Sequence, residues 1–283
     1  MAKIKITCDS TCDLTREQYA ACGAEVVPLG VTLGEQFCRD GVDVDAARVF
    51  SFVGESGLLP KTSAISVGEY ADVFSRYTQE GYSIIHINIS SEFSSCYQNA
   101  CLAAQEVEGV YPIDSRNLST GSGLLVLAAS ELAQQGLEAA QIAEQLEEMK
   151  NRLDVSFVLQ TLEYLHKGGR CSGVAAFGAN LLKLRPEIEV KDGRMEVGRK
   201  YRGSLEKTVL DYIRGRLEGR TDVQTDRIFV THSHIPPELL EKTVALVKEL
   251  QPFREVLVSE AGCTISSHCG PACFGVLFFR KEA

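Results

Sequence analysis

YSIIHINIS, Tyr82–Ser90, is the stretch that decides the fold. Ile84, Ile85, Ile87 and Ile89 leave almost no polar alternation in it. A strand with one wet face alternates apolar and polar residues, whereas a near-continuous apolar run is buried on both faces, as in parallel sheets covered by helices. Its neighbours keep that rhythm. Downstream, SEFSSCYQNACLAAQEV (91–107) reads as a polar loop and then a helix, GVYPIDS (109–115) as a strand, and Ser119–Gln134 and Leu137–Leu153 as two helices. Upstream, KIKITC (3–8) reads as a strand, and Thr15 with Gln18 forms a capping box for a helix through Cys22. AEVVPLGVTL (24–33) reads as one strand and residues 43–53 as a helix. Ser66 with Glu69 opens another helix that runs to Gln79. This alternation predicts an α/β domain with a doubly wound, mostly parallel sheet over residues 1–155.

Beyond that point the rhythm changes. DVSFVLQ (154–160) is a predicted strand, TLEYLHKGGR (161–170) a short helix ended by glycines, and GVAAFGANLLKL (173–184) a helix. PEIEVKDGRMEVGRKYR (186–202) reads as a hairpin turning at Asp192-Gly193. Helices over Ser204–Leu217 and Pro237–Leu250 then mix with strands DRIFVTHS (226–233), REVLVSE (254–260) and CFGVLFFR (273–280). Residues 156–283 are therefore read as a second, α+β domain.

The chain has 283 residues and a formal charge of −9. That balance argues against a nucleic-acid surface, which needs Lys and Arg to displace phosphate counterions. Met1 leads into an apolar strand rather than a signal peptide, and no uncharged apolar run nears the ~20 residues of a membrane span, so a cytoplasmic protein is expected. In such a compartment the ten cysteines are expected to be reduced.

Ligands of open parallel sheets bind beyond the carboxyl ends of the strands. The loops there are DSTCDL (9–14), KTSAIS (61–66), SSEFSSCY (90–97) and DSRNLSTGSG (114–123), rich in hydroxyls and poor in fixed charge. No Walker loop or GxGxxG occurs, and no loop carries a carboxylate cluster for a tight metal site. Each serine is also a ready helix cap, but Ser90, Ser91, Ser94 and Ser95 exceed what one cap needs. Gly168-Gly169 is read as ending a helix and projecting Arg170. Near the carboxyl end, SSHCGPACFG (266–275) holds His268, Cys269 and Cys273. Pro271 argues against a regular helix through them, and zinc sites usually come as two separated ligand pairs. The stretch is read as a loop that presents one polar group, His268. His86 is read as a core histidine, and His232 and His234 as lining or capping a loop.

Together these stretches resemble the DegV family. The carriers are DSTCDL, TSAIS (62–66), SSEFSSCYQNA (90–100), IDSRNLSTGSG (113–123), TLEYLHKGGRCSG (161–173) and HCGPACFGV (268–276). Each is weak alone, while their order and spacing span nearly the whole chain. The resemblance implies a cytosolic carrier that encloses one long-chain fatty acid in a tunnel between two domains, needs no cofactor and has no catalysis of its own. It also implies a separate ATP-dependent kinase subunit that phosphorylates the carboxylate, and transient membrane contact for cargo exchange in the service of phospholipid synthesis. By the same resemblance Thr62, Ser94 and neighbouring Ser95 hold the carboxyl with His268 close by, and Arg170 and Arg202 lie near the head group or engage the kinase. The chain departs from the family pattern at Ser94-Ser95-Cys96, where Ser-Gly-Thr is usual, and at His268-Cys269-Gly270-Pro271-Ala272, where His-Thr-Gly-Pro-Gly is usual.

The physics of such a carrier is coherent. About fifteen methylenes at ~0.8 kcal/mol each give a gross gain on the order of 12 kcal/mol on burial. A buried carboxylate needs donors, and neutral hydroxyls supply them without locking up an oxygen that must react. The rival reading is an acyl-ester hydrolase or transferase using Ser94 or Cys269 with His268. The absence of a GxSxG elbow lowers it.

Overall fold

The computed structural model describes residues 3–171 and 185–282, so the helix expected over 173–184 lies outside the described residues. The first sheet is all parallel, in the order β2-β1-β6-β7: β1 (Lys3–Asp9), β2 (Glu25–Val27), β6 (Tyr82–Asn88) and β7 (Val110–Asp114). Ile84, Ile85 and Ile87 of β6 are fully buried, as a strand covered on both faces requires. Helices α1 (Arg16–Cys22) and α3 (Val67–Gln79) begin at the two capping boxes read from the sequence, with Gln18 N donating to Thr15 Oγ1 and Glu69 N to Ser66 Oγ, both at 3.2 Å. Helix α4 (Cys96–Glu106) connects β6 to β7.

The second sheet has six strands in the order β10-β9-β8-β13-β11-β12: β8 (Leu153–Val158), β9 (Arg185–Lys191), β10 (Arg194–Tyr201), β11 (Val223–Ser233), β12 (Glu255–Glu260) and β13 (Cys273–Arg280). All its pairings are antiparallel except β11 with β12. The β9–β10 hairpin turns at Asp192-Gly193, both with positive φ. Helices α8 (Leu205–Leu217) and α9 (Pro237–Leu250) pack on this sheet around Val209, Tyr212, Ile213, Leu246 and Val247.

Helix α5 (Ser119–Gln134) joins the two sheets. It touches β1 and β6 on one side and β8 and β13 on the other, and nearly every residue from Ser119 to Ser130 is buried. Its first turns must be small. A Cβ on Gly121 would lie 2.9 Å from Val155, and one on Gly123 would lie 2.7 Å from the Cys12 carbonyl. Much of the loop read as ligand-binding at 114–123 is therefore the start of a packed helix. Its hydroxyls are satisfied internally: Ser119 Oγ donates to Asp13 at 2.5 Å, Ser115 and Ser122 pair at 2.8 Å, and Thr120 pairs with Thr231 at 2.5 Å.

Three sequence readings change. AEVVPLGVTL is not one strand. Pro28, without an N–H, ends β2, and the chain crosses to a separate three-stranded antiparallel sheet of order β4-β3-β5, made of β3 (Gly30–Leu33), β4 (Gln36–Arg39) and β5 (Lys61–Ser63). At Gly30 a Cβ would stand 2.2 Å from Ser63 Oγ and 2.6 Å from the Phe37 ring, both on exposed side chains that would have to move aside. The helix expected over 43–53 is α2 (Ala46–Ser56), displaced because Asp45 caps it by accepting from Arg48 N at 2.8 Å. The helix expected over 137–153 is α6 (Ala139–Met149), followed by a 3-10 turn, because Leu153 already pairs with Phe279 in the second sheet.

Candidate functional site

The site is assembled from four separate pieces of chain. Thr62 stands on β5 and Ser94 in the loop before α4. Arg170 follows α7 (Glu163–Gly168), and His268 lies on α10 (Cys263–Cys269). All four border one cavity. Its other walls include Leu29, Ile89, Phe93, Leu118, Met195, Thr264, Ile265 and Cys269. Arg170 is the only charged residue, and no carboxylate appears, among the described residues that line it.

His268 is carried by a helix, not by the loop expected from Pro271. Pro271 bars helix beyond it but not before it: α10 closes at Gly270, φ +74°, and the proline follows the cap. The start of α10 is held by two buried carboxyl groups. Asp13 Oδ1 accepts from Gly262 N at 2.9 Å, and Asp40 accepts from Cys263 N at 2.9 Å and from Thr264 N at 3.1 Å. Burial pushes the Asp13 carboxyl up to about 8, the hydrogen bonds from Ser119 and Gly262 pull it down, and the nearby Asp40 adds to the rise. The sequence carries no local sign of this clasp, because its parts are more than two hundred residues apart.

At the other end of α10, His268 Nε2 lies 2.8 Å from Thr62 Oγ1. Burial, and then the positive charge of Arg170, lower the imidazole to about 4, so it is neutral at pH 7. Its Nδ1 has no hydrogen-bond partner and faces the backbone of Gly168, where a Cβ would stand 2.4 Å away. The two glycines thus do separate work: Gly168 makes room for the ring and Gly169, φ +70°, ends α7. Arg170 then spans the mouth, donating from Nη1 to Gly168 O at 2.6 Å and from Nε to Phe93 O at 3.4 Å.

The four serines divide. Ser90 Oγ donates to Gly193 O at 2.8 Å and Ser91 Oγ to Asp114 at 2.6 Å. Ser94 alone faces the cavity. It accepts from Cys96 N at 3.3 Å and donates to Cys96 Sγ at 3.1 Å, a weak acceptor that a ligand oxygen would displace. Ser95 is exposed at the start of α4 with an ordinary φ of −78°, and Arg202 is exposed beyond β10; the structure brings neither to the cavity wall.

Nucleophilic catalysis would need His268 bonded to Ser94 or Cys269, with a third group orienting the ring. Its bond goes to Thr62 and its other nitrogen is unpartnered. No group of three or more His, Cys, Asp or Glu suited to a metal ion occurs among the described residues. His86 is a core residue, wholly buried between Thr7 Oγ1 (2.7 Å) and Asp9 Oδ1 (3.1 Å), and its partner Asp9 also accepts from Tyr70 and from Ile89 N. His232 lines a second cavity and His234 is exposed.

That second cavity shares the Leu118, Ile265 and Cys269 walls with the first and is otherwise mainly Val155, Phe157, Ala261, Cys273 and Leu277. An apolar chamber thus adjoins a chamber that ends in hydroxyls and a neutral imidazole.

Two sheets joined by a buried helix, with two cavities that share walls, define an α/β protein. The chain belongs to the DegV family: residues 3–281 match the family's sequence model, described as "Uncharacterised protein, DegV family". A DegV domain-containing protein of Clostridium acetobutylicum is 35% identical over 285 residues, covering 99% of this chain and all of the relative. Among solved structures, a DegV family protein from Thermus thermophilus, described for its fatty acid binding, superposes with a TM-score of 0.86 at 33% identity, covering 98% of this chain and 99% of its own. A stearic acid-binding protein from Eubacterium ventriosum gives a TM-score of 0.86 at 27% identity, with 98% of both chains covered. No described helix is long and apolar enough to cross a membrane.

Proposed function

We propose that this chain binds one long-chain fatty acid between an N-terminal α/β unit (1–155) and a C-terminal α+β unit (156–283), and presents its carboxylate to a separate ATP-dependent kinase subunit. The observation that carries this reading is the convergence of Thr62, Ser94, His268 and Arg170 on one cavity that adjoins an apolar chamber. The carboxylate sits at the hydroxyl end and the acyl chain runs past Leu118, Ile265 and Cys269.

The head group is held as follows. In the tautomer with hydrogen on Nε2, neutral His268 donates to Thr62 Oγ1 and leaves the Thr62 proton free to face the ligand. Ser94 turns its proton from the Cys96 sulfur to the carboxylate. Both donors are neutral, so the oxygens stay available for phosphoryl transfer. Arg170 stands exposed at the mouth, placed to meet the charge of the product or the partner. Fatty-acid binding by similar chains supports the ligand class. The kinase partner, the membrane contact for cargo exchange and a part for exposed Arg202 in engaging the partner rest on the family resemblance.

Native mass spectrometry of the purified chain is expected to show one co-purifying mass in the fatty-acid range, and the double substitution Thr62→Val, Ser94→Ala to abolish it. Retention of the lipid by the double variant would defeat the head-group assignment. Adding a fatty acid kinase subunit and ATP to the loaded protein is expected to yield acyl phosphate, and failure to do so would remove the presenting role while leaving the binding role.

A further inference from the structure

Three hydroxyls project from α10, and they fare differently. Ser266 Oγ donates to Ala261 O, ahead of the helix, at 3.1 Å, and Ser267 Oγ to Cys263 O at 2.7 Å, the back-bond a helical hydroxyl commonly makes. Thr264 Oγ1 makes no such bond and has no partner, although Thr264 is only 5% exposed. Its backbone is not at fault, since its N–H is satisfied by Asp40. Thr264 is also the hydroxyl residue of the helix that lines the head-group cavity, and it lies one turn from His268 on the same face. Thr11 and Thr208 likewise hold unpartnered hydroxyls, but neither borders this cavity.

A buried hydroxyl without a partner is destabilising, and one that faces a ligand cavity is satisfied when the ligand brings an acceptor. We infer that Thr264 is a third hydroxyl donor to the ligand's carboxylate, alongside Thr62 and Ser94 in the lining of the same cavity. His268 bonds Thr62, so the turn that carries Thr264 and His268 sets both threonines on the wall of one cavity, where a carboxylate can accept through two oxygens. The donor set is then three hydroxyls and no buried cation. Such a set distinguishes an ionised acid from a neutral head group of the same chain length, because hydrogen bonds to a charged acceptor are the stronger ones. This inference rests on the fatty-acid reading above.

The test uses the full chain, stripped of lipid, titrated with hexadecanoate and with hexadecanol. For Thr264→Val, which keeps the shape and removes the hydroxyl, hexadecanoate affinity is expected to fall about 10- to 100-fold while hexadecanol affinity changes less than about 3-fold. Thr264→Ser, which restores the donor, is expected to stay within about 3-fold of the parent for both. Thermal melting of each unliganded variant checks that the fold is intact, and if Thr264→Val does not fold, Thr264→Ala and Thr264→Ser provide the same comparison. Equal losses for acid and alcohol, or no loss for the acid, overturn the role of Thr264 and leave the fatty-acid reading standing. A parent protein that takes up neither ligand overturns both.

Discussion

His268 and Asp13 illustrate how burial moves two groups in opposite senses within one small region. The imidazole is lowered from 6.5 to about 4, so its contribution to stability is fully present above pH 6.5 and is lost as pH falls toward 4. The Asp13 carboxyl is raised from 3.8 to about 8, so its contribution is fully present below pH 3.8 and is lost as pH rises toward 8. Urea midpoints measured from pH 4 to 8 are expected to separate the two through variants. His268→Gln, which keeps a donor but does not titrate, should remove the loss on acidification below pH 6.5. Asp13→Asn should remove the decline on the alkaline side. Asparagine tolerates the left-handed backbone found at Asp13, φ +50°, and can still accept from Gly262 N. Unchanged pH profiles in both variants would assign the sensitivity to other groups. Thr62, Ser94 and His268 were visible as residues because each sits in a recognisable polar stretch. Thr264 and Asp40 were not, since a hydroxyl in a helix and a carboxylate in a turn have many ordinary uses, and Asp13, although it lies in DSTCDL, gave no sign of its partner at Gly262.

Among the elements, α5 and α2 give a matched test of what a glycine does in a helix. Gly123→Ala places a Cβ against the Cys12 carbonyl at 2.7 Å, in contact with backbone that has no room to yield. A loss of about 1–3 kcal/mol is expected from overpacking. Gly54→Ala on exposed α2 meets nothing within 4 Å and is expected to stabilise by about 0.5–1 kcal/mol through helix propensity. Chemical denaturation of the two variants checks both signs. If Gly123→Ala matched Gly54→Ala, the tight approach of α5 to the turn at Ser10–Cys12 would be wrong. Most described elements were legible from capping boxes, apolar runs and the Asp192-Gly193 turn. β4 and β5 were not. They are four and three residues long, and Lys61–Ser63 becomes a strand only because β3 offers it a partner.

The whole molecule encloses its cavities between elements far apart in the chain, so ligand and fold are thermodynamically linked. A ligand that binds only the folded state adds about 2.7 kcal/mol at a concentration a hundred times its dissociation constant. Stripping the purified protein of lipid is therefore expected to lower its melting temperature, and returning hexadecanoate to restore it. A melting temperature indifferent to lipid would contradict an internal site. The same enclosure accounts for the isolation of the neutral imidazole, since water that reached Nδ1 would relieve the burial that lowers its proton affinity.

By itself, the sequence determined the local pattern: a buried parallel strand at Tyr82–Asn88, the capped starts of α1 and α3, the hairpin turn, and four stretches able to offer a polar group. These depend on periodicity and on contacts a few residues apart, which a linear string records. Only the tertiary structure decided which of those groups meet. Thr62 and His268 are 206 residues apart in sequence yet 2.8 Å apart in space, while Ser95, adjacent to Ser94, turns away into solvent. The difference arises because a site is a convergence of distant chain segments, fixed by how sheets and helices pack, and packing geometry is not a property of any one segment.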